Sequence, residues 1–361
     1  DLLRFTITRD EIPMHSIDVA TMLDEKTGYV KINRFSASTY EEFVQALQKL
    51  YEEHGAEDLV IDLRHNPGGY LQQATRMLSQ LFREKGQLLV YTEGRTVQRT
   101  EYTSNGRPFF PVDDIVVLID EGSASASEIV AGALQDHDRG IIIGRRSFGK
   151  GLVQEQYPLR DGSALRLTVA RYYTPSGRSI QKPYDDPVEY NHDMEERYYN
   201  GELSDSHNIA IADSTRFYTA NGHVVYGGGG IIPDLFVPLD TTLLLEDYLI
   251  WRQHVPAYIF RYGQQQPAEY DGELDRFLST FQVNDQLFND FISYAQSQGV
   301  TAPVPTDRRL RHEIRRFLKA RIAKHYFGDE GFYAVWNQED EMLDAALQVL
   351  RQPNPLAAAR E

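Results

Sequence analysis

The chain contains no cysteine in its 361 residues, which excludes disulfides, thiolate catalysis and Cys-ligated metal. It also lacks any run of 18 or more apolar residues, so no segment reads as a membrane-spanning helix. Positive charge is scarce: 37 Lys and Arg stand against 53 Asp and Glu, for a net charge of −16. That balance argues against non-specific nucleic-acid binding, which rests on cationic neutralisation of phosphates. The exception is RRLRHEIRRFLKARIAK (308–324), where Leu310, Ile314, Phe317 and Ile322 recur at helical spacing. It reads as an amphipathic helix with a solvated basic face. The opening residues, DLLRFTITRDEIP, lack the basic and apolar regions of a signal peptide. They read as a strand edge (FTITR, 5–9) cut from something longer. No HExxH or EF-hand pattern occurs, so neither a metal nor a cofactor is expected.

What is present is a regular alternation of strand and helix. GYVKINRFS (28–36) alternates apolar and polar residues, as a strand does. TYEEFVQALQKLYEEHG (39–55) has helical spacing, with Thr39 as N-cap and Gly55 at C′. A strand over 58–64, a helix over 71–86 closed by Gly86 and a strand over 87–94 follow. IVVLIDEG (115–122) is nearly all apolar, as buried parallel strands are, and a helix over 125–136 and a strand over 140–144 complete the series. This pattern predicts an α/β core with right-handed crossovers. LVQEQYPL and SALRLTVARYYTP then read as a hairpin about RDGS. Residues 184–222 lack periodicity and read as a long irregular excursion, while 224–240 regain strand character. From 241 onward the pattern is helical, ending in a frayed tail, QPNPLAAARE. The domains expected are an N-terminal segment (1–27), a core (28–240) and a helical C-terminal domain (241–361).

Three elements carry chemistry. In IDEGSASASEIVAGALQD a strand ends, small residues turn and a helix begins with Ser125 just before it. Unpaired N–H groups and the positive dipole end there favour a developing oxyanion. Ser is also a preferred cap, so Ser123, Ser125 and Ser127 alone do not separate a nucleophile from a helix start. In DLRHNPGGY (62–70), Gly68 and Gly69 permit positive φ and close backbone approach. The third element, GRRSFGKG (144–151), matches the first seven positions of a phosphate-binding loop. Its eighth position, a magnesium-ligating Ser or Thr in such loops, is Gly151, and a strand follows instead of a helix. Lys150 therefore needs another reading. Flanked by glycines it is uncrowded, and apolar surroundings would favour its neutral, basic form. Asp136 shares a helix with Ser125 but lies roughly 16 Å away at 1.5 Å rise per residue, so its role is structural. His137, at the same far end, cannot reach Ser125 either.

Together, SASASEI, the following QD, FGKGLVQ and RYYTPSGRSIQ (171–181) resemble the carboxy-terminal processing peptidases, or tail-specific proteases. The resemblance is dense over 28–183 and resumes at YGGGGIIPD. It implies a crotonase/Clp-protease-like α/β core with a mainly helical C-terminal domain. It also implies a serine endopeptidase acting near protein C-termini through a Ser125–Lys150 dyad and an acyl-enzyme. By position, Gln154 falls where the family has a lysine-supporting glutamine, and Asp136 where it has an indirectly acting acid. Arg64, Asn66, Gly68 and Gly69 match its RxNxGG element, and the oxyanion hole would use the N–H of Ala126 and of Gly68 or Gly69. The implied partners are proteins or peptides with apolar C-termini, with no nucleic acid and no membrane span. The implied location is extracytoplasmic, the bacterial periplasm or cell envelope, with no signal or anchor in this chain. The family's PDZ domain, which captures C-termini by strand addition, is expected to be missing except for FTITR. Large apolar side chains in the helical domain offer a surface for a homo-oligomer. Two other classes stay open at this point: a catalytically silent peptide-binding scaffold of the same fold, and a crotonase-like acyl-CoA enzyme.

Overall fold

The structure, a computed structural model, describes residues 6–10, 14–211, 213–241, 246–265, 270 and 272–360. β1 (Ile17–Met22) pairs antiparallel with β2 (Thr27–Ile32), and α1 (Thr39–Gln48) returns the chain to β3 (Asp58–Asp62). β3 runs parallel to β2, with Val60 opposite Tyr29. α2 (Leu71–Ser79) leads to an outlying pair, β4 (Lys85–Glu93) and β5 (Thr100–Asn105). β6 (Ile115–Ile119) then re-enters beside β3, and α3 (Ala126–Asp136) crosses to β7 (Ile141–Gly144). The chain next builds the hairpin β8 (Leu152–Pro158) and β9 (Ala164–Tyr173), the helix α4 (Pro187–Tyr199), and a second hairpin of β10 (Asp213–Tyr218) and β11 (Val224–Gly227). β12 (Leu235–Phe236) closes the main sheet next to β7. The order is β1-β2-β3-β6-β7-β12, parallel from β2 onward, while β5-β4-β9-β8 form a second, antiparallel sheet. The expected α/β core is therefore present.

The apolar runs follow from burial on both faces. Ile61, Val117 and Ile142 point to one side, against Phe43, Leu47, Leu78 and Ile129 of α1, α2 and α3. Their strand neighbours Val60, Val116, Leu118 and Ile143 point to the other, as the period of two requires. Full burial of each such side chain stabilises by roughly 1.5–3 kcal/mol.

The C-terminal part is mainly helical. α5 (Glu246–Arg252), α6 (Val255–Gln265), α7 (Leu274–Thr280), α8 (Asp285–Ser297) and α9 (Arg308–Trp336) bury Trp251, Tyr258, Phe277, Phe288 and Phe291 against one another. α10 (Glu341–Leu350) and α11 (Pro355–Arg360) pack elsewhere: Met342, Leu343, Val349 and Ala359 cover the second face of the main sheet.

Several sequence expectations change. Residues 6–9 form no strand, and Ile7 stands in solvent with no face to bury; Phe5 lies outside the described residues. The helix read as 71–86 ends at Ser79, because Leu81 and Phe82 continue the apolar pattern by turning into the core, and Gly86 belongs to β4. The 184–222 excursion contains α4, whose buried contact is the guanidinium of Arg197, held by Asp193 at 3.1 Å, so no apolar stripe marks it. The basic face of α9 is neutralised and not simply solvated: Arg315 pairs with Asp285, Arg316 with Glu313 and Arg309 with Asp240. The tail is not frayed. Arg360 pairs with Asp138 and, at 2.9 Å, with Asp234, and both carboxylates are buried.

Arg360→Ala strands two buried carboxylates and is expected to destabilise the fold by about 3 kcal/mol. Urea unfolding at 25 °C reads this as a lower midpoint at unchanged slope.

Candidate active site

β3, β6 and β7 are neighbours and parallel, so their carboxyl ends lie side by side. Clefts form at this edge of an α/β sheet. The loop after β3 is pinned by Arg64, whose Nη2 reaches Asp62 at 2.6 Å and whose Nη1 reaches Asp340, at the start of α10, at 2.7 Å. Asn66 donates to the Ile32 carbonyl and accepts from the Gly68 N–H, each at 2.9 Å. Gly68 has φ +91°, and a Cβ there would meet Ala124 O, Ser125 Cβ and Ala126 N at 2.6–2.8 Å. Only glycine lets this loop lie against the Ser125 turn.

The loop after β6 separates the three serines. Ser123 and Ser127 are fully buried, and their hydroxyls donate to Leu63 O (2.8 Å) and Asn66 O (2.9 Å), tying the two loops together. Ser125 is half-buried and lines the cleft, held at φ +56°. A non-glycine residue there costs on the order of 1–3 kcal/mol, strain that recurs at functional turns.

The loop after β7 is irregular and depends on partners outside itself. Arg197 donates to the carbonyls of Ser147 (2.9 Å) and Arg146 (3.2 Å). The decisive partner is Glu128, fully buried in the first turn of α3. One of its oxygens accepts from Ser147 Oγ (2.6 Å) and the Gly149 N–H (2.7 Å). The other accepts from the N–H groups of Ser125 and Lys150, both at 2.8 Å. Burial pushes this carboxyl above its ordinary range, against the pull of its four donors. Tyr172 of β9 stands on the opposite side of the same two residues. Its hydroxyl faces the Ser125 carbonyl at 3.1 Å and also the Lys150 carbonyl.

One cleft of about 870 Å³ is lined by Ser125, Lys150, Gln154, Gly68 and Gly69, with Ile129, Leu152 and Val153 among its apolar walls. Ala126 follows Ser125 as the first residue of α3. The Gly68 amide is taken by Asn66, whereas those of Gly69 and Ala126 have no hydrogen-bond partner among the described residues. Gln154 enters the cleft from β8; among the described residues no hydrogen bond joins it to Lys150. Asp136 stays away from the cleft, as its spacing requires. It pairs with buried Arg178 at 2.7 Å and accepts the Ser176 N–H at 2.9 Å. His312, Glu313 and Glu339 lie close enough together to suggest metal ligands, but Glu313 pairs with Arg316 and His312 with Glu339. Glu128 and Tyr172 were not among the expected site residues. Glu128 had a signal, the Ser-x-x-Glu box of a helix start; Tyr172 had none beyond its place in RYYTPSGRSIQ.

The His65 backbone, at φ +59°, donates to Asp120 Oδ1 at 2.8 Å, and its ring Nδ1 lies 2.8 Å from Oδ2 of the same buried carboxylate. Burial pushes Asp120 up, but the His65 ring and amide outweigh it and hold the carboxyl at about 2. The hydrogen bond to Asp120 in turn raises His65 above 6.5.

Residues 26–190 match the model of peptidase family S41. Residues 247–328 separately match a family of unknown function (DUF8443). The chain is similar to a carboxyl-terminal-processing protease of Synechocystis sp. (41% identical, 49% of this chain, 42% of that protein) and to the carboxy-terminal processing protease CtpB of Bacillus subtilis (40% identical, 52% and 38%). The solved photosystem II D1 C-terminal processing protease is 34% identical over 48% of this chain and 47% of its own, with a TM-score of 0.42. The chain thus spans about two fifths of the length of the two curated relatives.

Glu128→Gln turns an amide N–H toward backbone N–H groups and is expected to cost about 2–3 kcal/mol, measured by urea unfolding. The His65–Asp120 pair gives a pH dependence with a defined sign. A raised histidine contributes stability in full below its unfolded value and loses it as pH rises through the folded one. The Tm advantage of wild type over His65→Asn is therefore expected to be largest at pH 5 and to shrink by pH 9.

Proposed function

We propose that this chain is a serine endopeptidase that cleaves proteins near their C-termini, with Ser125 as nucleophile and Lys150 as general base. The observation that carries the reading is the opening of Ser125, alone of the three neighbouring serines, into a cleft that Lys150 also lines. Neutral Lys150 takes the Ser125 hydroxyl proton while Oγ attacks the peptide carbonyl carbon. The oxyanion is received by the amides of Ala126 and Gly69, whose hydrogen-bonding capacity is unspent; the Gly68 amide, engaged by Asn66, keeps the loop in shape. The C–N bond then breaks, the lysine ammonium protonates the leaving amine, and water attacks the acyl ester with lysine again as base. Gln154 is assigned to orienting the lysine from β8.

The finer parts of the reading have narrower support. A preference for apolar C-terminal residues is supported by Leu71, Ile129, Leu152 and Val153 in the cleft wall. Among the described residues no helix is long and apolar enough to cross a membrane, and an extracytoplasmic location is taken from the family resemblance. The division into 1–27, 28–240 and 241–361 is likewise proposed; the separate burial of the aromatic residues of α5–α9 supports it for that part alone, since β1 belongs to the main sheet and α10 and α11 lie on it. Exposed Leu249 and Phe260 in that helical part support a homo-oligomer.

Ser125→Ala and Lys150→Ala are each expected to lower kcat/KM for an apolar-tailed peptide by at least 10³-fold while the far-UV circular dichroism is kept. Cleavage by Ser125→Ala at the wild-type rate would sink the assignment.

A further inference from the structure

Lys150 belongs to no strand or helix, so no ladder fixes its peptide groups. Its N–H is held by Glu128 at 2.8 Å, and its carbonyl faces the Tyr172 hydroxyl. Those same two side chains hold the main chain of Ser125, Glu128 at its N–H and Tyr172 at its carbonyl. The Ser125 carbonyl already receives the N–H groups of Glu128 and Ile129 from the first turn of α3. The phenol is thus not needed to satisfy that carbonyl. What it adds is a shared proton between two loops that sequence places far apart. Tyr172 is itself held firmly. Its ring is buried, its N–H donates to the Gly151 carbonyl at 3.0 Å, and burial pushes its hydroxyl well above the ordinary tyrosine range, so it remains a donor.

We propose that Tyr172 is a positioning residue, whose hydroxyl sets the separation of Ser125 and Lys150 by bridging their carbonyls opposite Glu128. The proposal rests on the dyad reading above. Removing the bridge leaves Glu128, the Phe148 N–H on the Ser123 carbonyl and the Arg145–Glu121 pair to register the two loops, none of which touches the carbonyls of Ser125 and Lys150, and a shift of about 1 Å at a reacting pair can cost on the order of 10²-fold in rate.

The test compares Tyr172→Phe, which keeps ring and burial, with p-aminophenylalanine at the same position, which restores a donor. Steady-state cleavage of an apolar-tailed peptide is measured from pH 6 to 10, with fluorophosphonate labelling to count competent serines. For Tyr172→Phe we expect kcat to fall by roughly 10- to 100-fold, KM to stay within about twofold, and fluorophosphonate labelling to slow in step with kcat. The p-amino variant should recover most of kcat. Tyr258→Phe, which removes a buried tyrosine hydroxyl bonded to Asp290 at 2.9 Å in the helical part, should lose stability alone. Wild-type kcat in Tyr172→Phe would overturn the proposal. If Tyr172→Phe does not fold, the p-amino variant decides: near-wild-type kcat upholds the bridge, and a kcat reduced by 10-fold or more in a folded protein overturns it. Ser125→Ala separates the two levels. Should it cleave normally, the dyad reading itself falls; should it be inactive beside a fully active Tyr172→Phe, only the bridge falls.

Discussion

The Glu128 carboxylate is the point on which the rest of the site depends. Removing a carboxylate from water is expensive, and it persists in a protein interior only when its lone pairs are filled. Here they are filled by one hydroxyl and three backbone N–H groups from two loops. The loop after β7 is irregular, so without Glu128 its amides would be buried donors lacking partners. The position of Glu128 in the first turn of α3 also places the charge at the favourable end of the helix dipole. One side chain therefore caps a helix, closes a loop and brings the main chain of a serine beside that of a lysine. Hydrogen bonds to one buried charge carry much of this registration, joined by the Phe148 N–H on the Ser123 carbonyl and the Arg145–Glu121 pair.

Close approach is the second requirement. The loop carrying Gly68 lies against the Ser125 turn at distances that exclude any Cβ, and the buried hydroxyls of Ser123 and Ser127 lock it there. Three serines at alternate positions thus divide their work: two hold the loops and the middle one opens to the cleft. The positive φ of Ser125 follows from that packing, since the turn must pass under Gly68 before α3 starts.

Much of this was legible in the sequence where burial leaves a simple pattern. β3, β6 and β7 are covered on both faces, so they appear as unbroken apolar runs, and the glycines at 68 and 69 mark a tight approach. The pattern failed where polar groups do the packing. α4 carries its buried contact through Arg197, and α11 is held by Arg360 on two carboxylates, so neither shows an apolar stripe. α2 was overextended because Leu81 and Phe82 keep the helical spacing after the helix has ended. At the site, Ser125 and Lys150 could be chosen by elimination and resemblance. No property of the residues alone distinguishes Ser125 from Ser123 and Ser127, because the difference lies in which backbone carbonyl each hydroxyl can reach. Tyr172 was hidden for the same reason: a tyrosine in an apolar strand reads as core, and only the fold brings its hydroxyl between two loops.

The S41 stretch does not bury itself. One face of the main sheet is covered by α1, α2 and α3, all within residues 26–190, but Val60, Val116, Leu118 and Ile143 on the other face meet Met342, Leu343 and Val349 of α10. The same helix begins at Asp340, whose carboxylate accepts the amides of Met342 and Leu343 while gripping Arg64. Arg64 in turn starts the loop that ends in Gly68 and Gly69. Folding of the C-terminal helices onto the sheet and shaping of the cleft are thus joined through one ion pair, Arg64–Asp340. Tight packing makes such joints bistable and not continuously deformable. Asp340 is one of several holds on that loop: Asp62 grips the same guanidinium, and the hydroxyls of Ser123 and Ser127 fasten the loop to the Ser125 turn from the other side.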